Sequence, residues 1–142
     1  MAKAKSDTDE RLRTIPLFRE LSKQELRRVA MLMTPVEIAA GRELIREGDV
    51  GREFMIILDG TAVVRRRGRK IADLGPGDFL GEVSMLSGAP RTADVIATST
   101  MTVEVLTRSE LSALLDENPA MMKKVLMGAL SRLVELEKSQ TR

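Results

Sequence analysis

The segment Gly81-Glu82-Val83-Ser84-Met85-Leu86-Ser87-Gly88-Ala89-Pro90-Arg91-Thr92-Ala93 has one acid ahead of a short apolar turn and one arginine after a Gly-Ala-Pro bend. An arginine binds a phosphate through a planar pair of donors, and a carboxylate accepts hydrogen bonds from sugar hydroxyls. Arg91 and Glu82 therefore suit an anionic sugar phosphate. Most of the remaining chain has the pattern of a scaffold that holds this segment.

On both sides of this segment, from residue 34 to residue 107, short β-type stretches are separated by turn residues. The turns are Gly41, Gly48-Asp49, Asp59-Gly60, Gly68 and Gly75-Pro76-Gly77-Asp78. Strands that follow one another without intervening helices argue against a parallel βαβ fold. The spacing predicts an antiparallel, jelly-roll-like β-roll, so the fold class is mainly β with flanking helices.

Two stretches of the roll give more specific predictions. The apolar run 54–58 ends in Asp59-Gly60, a two-residue hairpin signal, so we expect residues 61–64 to form the return strand. Farther along, residues 101–106 alternate, with apolar side chains at the odd-numbered positions. This alternation predicts a strand with one buried face.

Helical patterns flank the roll. Ser22 and Glu25 form a Ser-x-x-Glu capping box, which predicts a helix that runs to about Met33. After the roll, Thr107 or Ser109 caps a helix over 110–116, and Asn118-Pro119 starts a long helix that ends near residue 138. We therefore expect a mobile tail over 1–9 and one domain over 10–142. Its parts are N-terminal helices over 10–33, the roll over 34–107 and C-terminal helices over 108–138.

The long C-terminal helix carries an apolar stripe with alternating spacings of four and three. Its members are Met122, Leu126, Ala129, Leu133 and Leu136. Such a stripe either covers the open side of the roll or forms the seam of a homodimer. Two heptads are too short to decide between these interpretations.

Composition excludes several classes of function. The 142 residues contain no Cys and no His, which removes the usual zinc, haem and iron-sulfur ligands and the usual nucleophile-base pairs. We therefore expect no metal and no enzymatic activity. The net charge of +2 gives no argument for DNA binding. Without an apolar segment long enough to cross a membrane or act as a signal, the sequence predicts a cytoplasmic protein.

The basic run over 65–70 lies around Gly68 and holds four arginines and one lysine. No aromatic residues are interleaved with these cations, as they would be in a surface that stacks on nucleic-acid bases. The run is therefore typical of a solvated hairpin tip.

The chain resembles the cyclic nucleotide-binding domain family over residues 16–136. Scaffold positions of that resemblance are Pro16-Leu17-Phe18, Leu21-Ser22, Gly41, Ile45, Gly48-Asp49, Phe54, Ile56 and Gly60. Its specific part is Gly77-Asp78-Phe79, then Gly81-Glu82, then Pro90-Arg91-Thr92-Ala93 with the spacing of the family's phosphate-binding cassette. Any one of these pairs means little, whereas the joint pattern is specific.

The resemblance implies roles for the matching residues. Glu82 would bind the ribose 2′-hydroxyl, Arg91 the cyclic phosphate, and the backbone amides around Val83 and Ser84 would also face the phosphate, as helix N-termini do. We expect Gly81 to permit close approach of the ligand because it lacks a Cβ.

Several candidate residues also have an alternative interpretation. Thr92 either donates to the phosphate or a purine edge or is an ordinary strand residue, and Ala93 leaves room beside it. Ser84 is as well suited to capping as to binding. Glu82 and Arg91 would otherwise pair with each other on a solvated edge.

The sequence also departs from the family pattern. Some kinase regulatory subunits hold the arginine with an acid in the strand after the Gly60 position, and residues 61–63 contain none, so we expect Arg91 to be held less firmly. No aromatic residue of the last helix is available to stack on the base, and Arg132 is the candidate for that role. Asp94 is an acid beside a phosphate site and has no explanation from the sequence.

These observations predict a non-catalytic sensor that binds cAMP or cGMP and signals through its C-terminal helix to a protein effector. No cofactor is needed for this function. The alternative is a β-roll that has lost its ligand and serves as a protein–protein interaction module, with the methionine-rich last helix as the docking face.

Overall fold

The computed structural model describes residues 11–15, 18–19, 21–51, 53–81, 88 and 90–140. In the last helix, the described side chains are those of 119–124, 126–127, 130–131 and 134. The predicted tail over 1–9 lies outside the described residues, and so does Pro16-Leu17.

Two four-stranded antiparallel sheets form the roll. One has the order β1-β8-β3-β6 and the other the order β2-β7-β4-β5. The strands are β1 (Thr34–Ile38), β2 (Glu43–Ile45), β3 (Glu53–Asp59), β4 (Ala62–Arg66), β5 (Arg69–Leu74), β6 (Phe79–Leu80), β7 (Asp94–Ala97) and β8 (Met101–Thr107). The prediction of a mainly β fold with an antiparallel roll and flanking helices is confirmed.

In the part of the chain that the structure describes, the roll is flanked by the helices α1 (Lys23–Leu32), α2 (Arg108–Glu117) and α3 (Pro119–Gln140). Residues 11–13 are helical as well. The capping box at Ser22 is present, because Glu25 N donates to Ser22 Oγ over 3.1 Å and Ser22 N donates to Glu25 Oε1 over 2.9 Å. Thr107, rather than Ser109, caps α2 and forms a second capping box with Glu110. Helix α3 runs two residues beyond the predicted end.

Asn118 lies between α2 and α3, where the sequence predicts an N-cap. Its side-chain amide instead donates to Leu114 O over 3.1 Å, so the side chain caps the end of α2. Its backbone carbonyl accepts from Met121 N over 3.1 Å and thereby begins α3. One residue therefore joins the two helices, and the position of the boundary is as predicted.

The predicted hairpin at Asp59-Gly60 is wrong. Strand β3 pairs with β6 and β8, whereas β4 pairs with β5 and β7 in the other sheet. The chain therefore crosses between sheets at Gly60, which has φ +91°. It crosses beside the connection from β7 to β8, where Thr61 N donates to Ser99 Oγ over 2.9 Å and Thr98 N donates to Thr61 O over 2.9 Å. These contacts stabilise two adjacent crossings that run in opposite directions between the sheets, and there is no return strand beside β3 at this point.

The hairpin that the structure does contain joins β4 and β5 around Gly68, as the basic run predicts. Arg66 lies opposite Arg69 and Arg65 opposite Lys70. Both loop residues have positive φ, 53° for Arg67 and 78° for Gly68, which suits the twist of a two-residue hairpin loop.

The core has two parts, and β3 separates them. Phe54 and Ile56 pack with the helices, while Met55 and Ile57 face the inside of the roll. The helix-side cluster contains Leu12, Ile15, Phe18, Leu21, Leu26, Val29, Met33, Phe54, Ile56, Leu106, Leu111, Leu114, Leu115 and Met121. Because both faces of β3 are covered, its sequence is a continuous apolar run rather than an alternating one.

Strand β8 also has two buried faces, so the prediction of one buried face is wrong. Met101 and Val103 face the roll interior, and Leu106 packs with the helices. Glu104 is only 3% exposed and lies directly opposite Ile56, whose side chain is in the helix-side cluster. The alternation of the sequence misleads here because helices pack on one face of β8 while its other face lines the inside of the roll.

Burial raises the pKa of Glu104 above its ordinary value of 4.5, and the Arg11 charge opposes this only in part. The folded protein therefore binds this proton more tightly than the unfolded chain does. Its contribution to stability is complete at low pH and is lost as the pH rises from the ordinary glutamate range through the raised pKa. We expect Glu104→Gln to remove this loss, so that the variant gains stability relative to the wild type as the pH rises.

Urea unfolding of both proteins between pH 4 and pH 8 measures this difference, since the other carboxylates cancel in the comparison. Parallel pH profiles for the two proteins would show that Glu104 titrates alike in the folded and unfolded states.

Candidate ligand-binding site

The structure describes both ends of the predicted cassette. Gly81 is at one end, and Arg91, Thr92 and Ala93 are at the other. Glu82, Val83 and Ser84 lie outside the described residues. Arg132 is within α3, but its side chain is not among those described.

Arg91 is a buried cation, with 8% of its surface exposed. Its Nη1 donates to Gly81 O over 3.0 Å, and its Nη2 donates to Glu53 O over 2.7 Å. The start of β3 and the start of the cassette therefore fix the guanidinium from two directions. The sequence predicts that Arg91 is held less firmly, because residues 61–63 contain no acid to bind it. In the structure, two backbone carbonyl oxygens bind the guanidinium instead. A guanidinium has five N–H donors in a fixed fork, and such a group suits anionic oxygens such as those of a phosphate.

Gly81 has φ +93°, and the space beside its Cα belongs to Arg91 and β3. A Cβ there would lie 2.6 Å from Arg91 Nη1 and 2.6 Å from Glu53 O. The prediction that this space admits the ligand is therefore replaced by a different reason for the glycine. Only a residue without a side chain lets the arginine lie against the cassette backbone.

We expect Gly81→Ala to weaken binding of an anionic ligand at least about tenfold, because the new methyl group must displace either the guanidinium or the β3 carbonyl. Calorimetric titration of the variant measures this effect. Gly68→Ala is a matched control, since Gly68 has φ +78° but nothing within 4 Å of a Cβ. Equal affinities for the two variants would contradict the steric explanation.

The backbone of Arg91 is also paired. Arg91 N donates to Asp49 O over 2.7 Å, and Gly48 N donates to Arg91 O over 2.8 Å. An isolated bridge continues this pairing at Val50 and Pro90. The turn between β2 and β3 therefore lies along the end of the cassette. Sequence reasoning identified Gly48-Asp49 as a turn, but no local signal connects it to an arginine more than forty positions away.

Burial alternates from Arg91 into β7. Arg91, Ala93 and Val95 are buried, while Thr92 and Asp94 are half-buried. Val95 belongs to the cluster inside the roll. The alternation favours an inward direction for Arg91 and Ala93 and the opposite direction for Thr92 and Asp94. A contact between Thr92 and a ligand stays a prediction.

Among the described side chains of helix α3, those at its start pack against the core. Met121 is buried in the helix-side cluster and Met122 packs against it. Farther along, Leu126 is 45% exposed, so the predicted stripe does not cover the roll at that position. Met127, Leu130 and Val134 are also exposed among the described side chains of this helix. The dimer seam stays a prediction.

Within the described residues, no helix is long and apolar enough to span a bilayer. The same part of the chain contains no cluster of three acidic, His or Cys side chains that would hold a metal ion.

Comparison with known proteins agrees with this architecture. Residues 35–118 match the profile of the cyclic nucleotide-binding domain. A cAMP-dependent protein kinase regulatory subunit from Eremothecium gossypii is 37% identical over 108 residues, which make up 75% of this chain and 24% of that protein. The chain spans about a quarter to a third of the length of the curated relatives it matches.

Solved structures share the fold at 24% identity. The regulatory domain of Toxoplasma gondii protein kinase A, solved with cAMP, has a TM-score of 0.80 over 92% of this chain and 51% of that one. The regulatory subunit of a cAMP-independent protein kinase A from Trypanosoma brucei has a TM-score of 0.83 over 99% of this chain and 50% of that one. With more than half of its length matched to the family profile, the chain belongs to the cyclic nucleotide-binding domain family.

Proposed function

We propose that this chain is a regulatory domain that binds a 3′,5′-cyclic nucleotide, with cAMP as the first candidate and cGMP as the second. The observation that carries the proposal is Arg91, a nearly buried guanidinium held by two carbonyl oxygens at the end of the cassette. A cyclic phosphate has one negative charge, and a guanidinium binds a phosphate through charge-assisted hydrogen bonds. The name of the Eremothecium gossypii relative supports cAMP.

The remaining cassette residues complete the proposed site. Glu82 would accept from the ribose 2′-hydroxyl, and the amides around Val83 and Ser84 would donate to the phosphate. Ala93 is small and buried beside Arg91, which leaves room for the ligand. Thr92 and Arg132 are proposed contacts to the phosphate or base. We take residues 10–142 as the single domain that contains this site.

Helix α3 is the proposed output element. Met121 is buried in its first turn, whereas the later apolar side chains that the structure describes are about half exposed. A ligand that binds one position of the helix better than another shifts the equilibrium between them by that difference in affinity. We propose that the exposed face then contacts a protein effector or a second copy of the chain, in the cytoplasm. The domain needs no catalytic step and no cofactor for this role.

A second candidate function is an interaction module without a ligand. The exposed apolar side chains of α3 favour it, because an exposed apolar patch is typical of a surface that binds a partner. The Trypanosoma brucei structure is that of a regulatory subunit of a cAMP-independent protein kinase A, so this fold also occurs in a subunit of a kinase that is named as independent of cAMP.

The two candidates are separated by calorimetric titration of the purified chain with cAMP, cGMP and 5′-AMP. We expect saturable binding of a cyclic nucleotide and none of 5′-AMP. The cassette has a single arginine, which matches the one negative charge of a cyclic phosphate, whereas the phosphate of 5′-AMP has a higher charge. No heat and no thermal stabilisation with either cyclic nucleotide would favour the interaction module.

A further inference from the structure

We propose that Asp94 is a positioning residue for Arg91, and that it acts by fixing the turn between β2 and β3 against the end of the cassette. The inference rests on the proposed function, because it concerns the residue that would bind the phosphate. Asp94 Oδ1 accepts a hydrogen bond from Glu47 N over 2.7 Å. The two residues are 47 positions apart in the chain, so this contact fixes two otherwise separate segments.

The contact bridges a gap in backbone pairing. Strand β2 pairs with β7 at Glu43 and Ile96 and at Ile45 and Val95, with a shift in register between the two pairs. Backbone pairing resumes at Gly48 and Arg91. In the gap, the carboxylate of Asp94 accepts from the Glu47 amide as a carbonyl of a regular ladder would. The side chain of Asp94 thereby connects the pairing of β2 with β7 to the pairing of Gly48 with Arg91.

The hydrogen bond between Glu47 and Asp94 also affects the position of the Arg91 backbone. Gly48 immediately follows Glu47, and its N–H donates to Arg91 O, while Asp49 O accepts from Arg91 N. A fixed Glu47 therefore fixes both of the groups that bind the Arg91 backbone. Because the Arg91 side chain is also held at its far end by Glu53 O and Gly81 O, a shift of its backbone would strain or break those bonds.

The charge of Asp94 is compatible with a neighbouring anion site. Its side chain is half-buried, while the adjacent odd-numbered residues are buried on the other side of the chain. Across the sheet, Asp94 lies directly opposite Arg65 on β4. Its charge also contributes to the raised pKa of Arg46, behind the larger effects of Glu43 and Asp49. These cations lie outside the cassette, so the carboxylate has positive charge near it without using Arg91.

The test compares Asp94→Ala with Asp94→Asn, which keeps an oxygen that accepts from Glu47 N. Amide hydrogen exchange of the ligand-free protein reports on the turn directly, and cAMP titration reports on the site. For Asp94→Ala we expect at least about tenfold faster exchange at the Glu47, Gly48 and Arg91 amides, and cAMP affinity about tenfold lower. Asp94→Asn should recover most of both effects.

Two controls separate positioning from general effects. Asp73→Ala removes an exposed acid of β5 with the same change in net charge, and it should leave exchange at the turn and affinity unchanged. Val29→Ala removes methyl groups in the helix-side cluster, which contains none of the described cassette residues, so it should change the free energy of unfolding without changing affinity.

Unchanged exchange at the Arg91 amide in Asp94→Ala would overturn the proposal, and so would faster exchange with wild-type affinity. A loss of cAMP affinity in Val29→Ala as large as that in Asp94→Ala would also overturn it, because the loss in Asp94→Ala would then reflect lower overall stability. Failure of the proposed function has a different signature, because the wild-type chain itself would then give no heat with cAMP.

Discussion

Replacing Arg91 with alanine should reduce affinity for the cyclic nucleotide by about 2 to 5 kcal/mol, which is roughly thirtyfold to several thousandfold. The guanidinium is the buried cation of the site, and its removal leaves a phosphate without its charged partner. It also leaves Gly81 O and Glu53 O without the donors that they have in the structure. Calorimetric titration with cAMP measures the loss.

Arg91→Lys separates charge from geometry, because lysine keeps the charge but lacks the planar fork that spans two carbonyls and a phosphate. It should recover only a small part of the affinity. Arg42→Ala removes an equal charge from an exposed position and should bind as the wild type does. A loss below tenfold in a folded Arg91→Ala protein would contradict the assignment of the phosphate site.

The largest effect on stability should come from Gly60→Ala, with a cost of about 3 to 4 kcal/mol in the free energy of unfolding. Gly60 has φ +91°, and an added Cβ would lie 2.4 Å from Thr100 O and 2.8 Å from Met101 Cα. Both neighbours are backbone atoms, one at the end of the crossing from β7 to β8 and one in the first residue of β8. The methyl group must therefore separate the two crossings that join the sheets.

Gly41→Ala is the matched control for this variant. Gly41 has φ +87°, but a Cβ there would meet nothing within 4 Å. It should lose only the conformational part, about 1 to 2 kcal/mol. Urea unfolding of both variants gives the two values, and equal losses would show that the packing of the crossings contributes nothing.

Local signals predicted local structure well. Ser22 with Glu25 and Thr107 with Glu110 are capping pairs whose partners are three residues apart, so the sequence alone contains the whole interaction. The hairpin turn at Gly68 is local as well, because it joins two strands that follow each other in the chain. The cassette motif located Gly81 and Arg91, the two ends of the site that the structure brings together.

Predictions failed where the partner is distant in the chain. Asp59-Gly60 has the composition of a hairpin, but contacts with residues 98–101 direct the chain into the other sheet. Glu104 occupies a position that alternation marks as exposed, and the packing of helices over β8 buries it. Glu53 binds Arg91 through its carbonyl, a group that every residue has, so no side-chain pattern marks it.

The pairing of β1 with β8 has a consequence for synthesis of the protein. Thr34 pairs with Val105, so the first strand has no partner until the last strand has left the ribosome. At about 5 to 20 residues per second, this delay is roughly 4 to 14 s. During that time the apolar strand β3, which also needs β8, is exposed as well. Chaperone binding to the nascent chain is therefore expected to be concentrated between the emergence of β3 and that of β8.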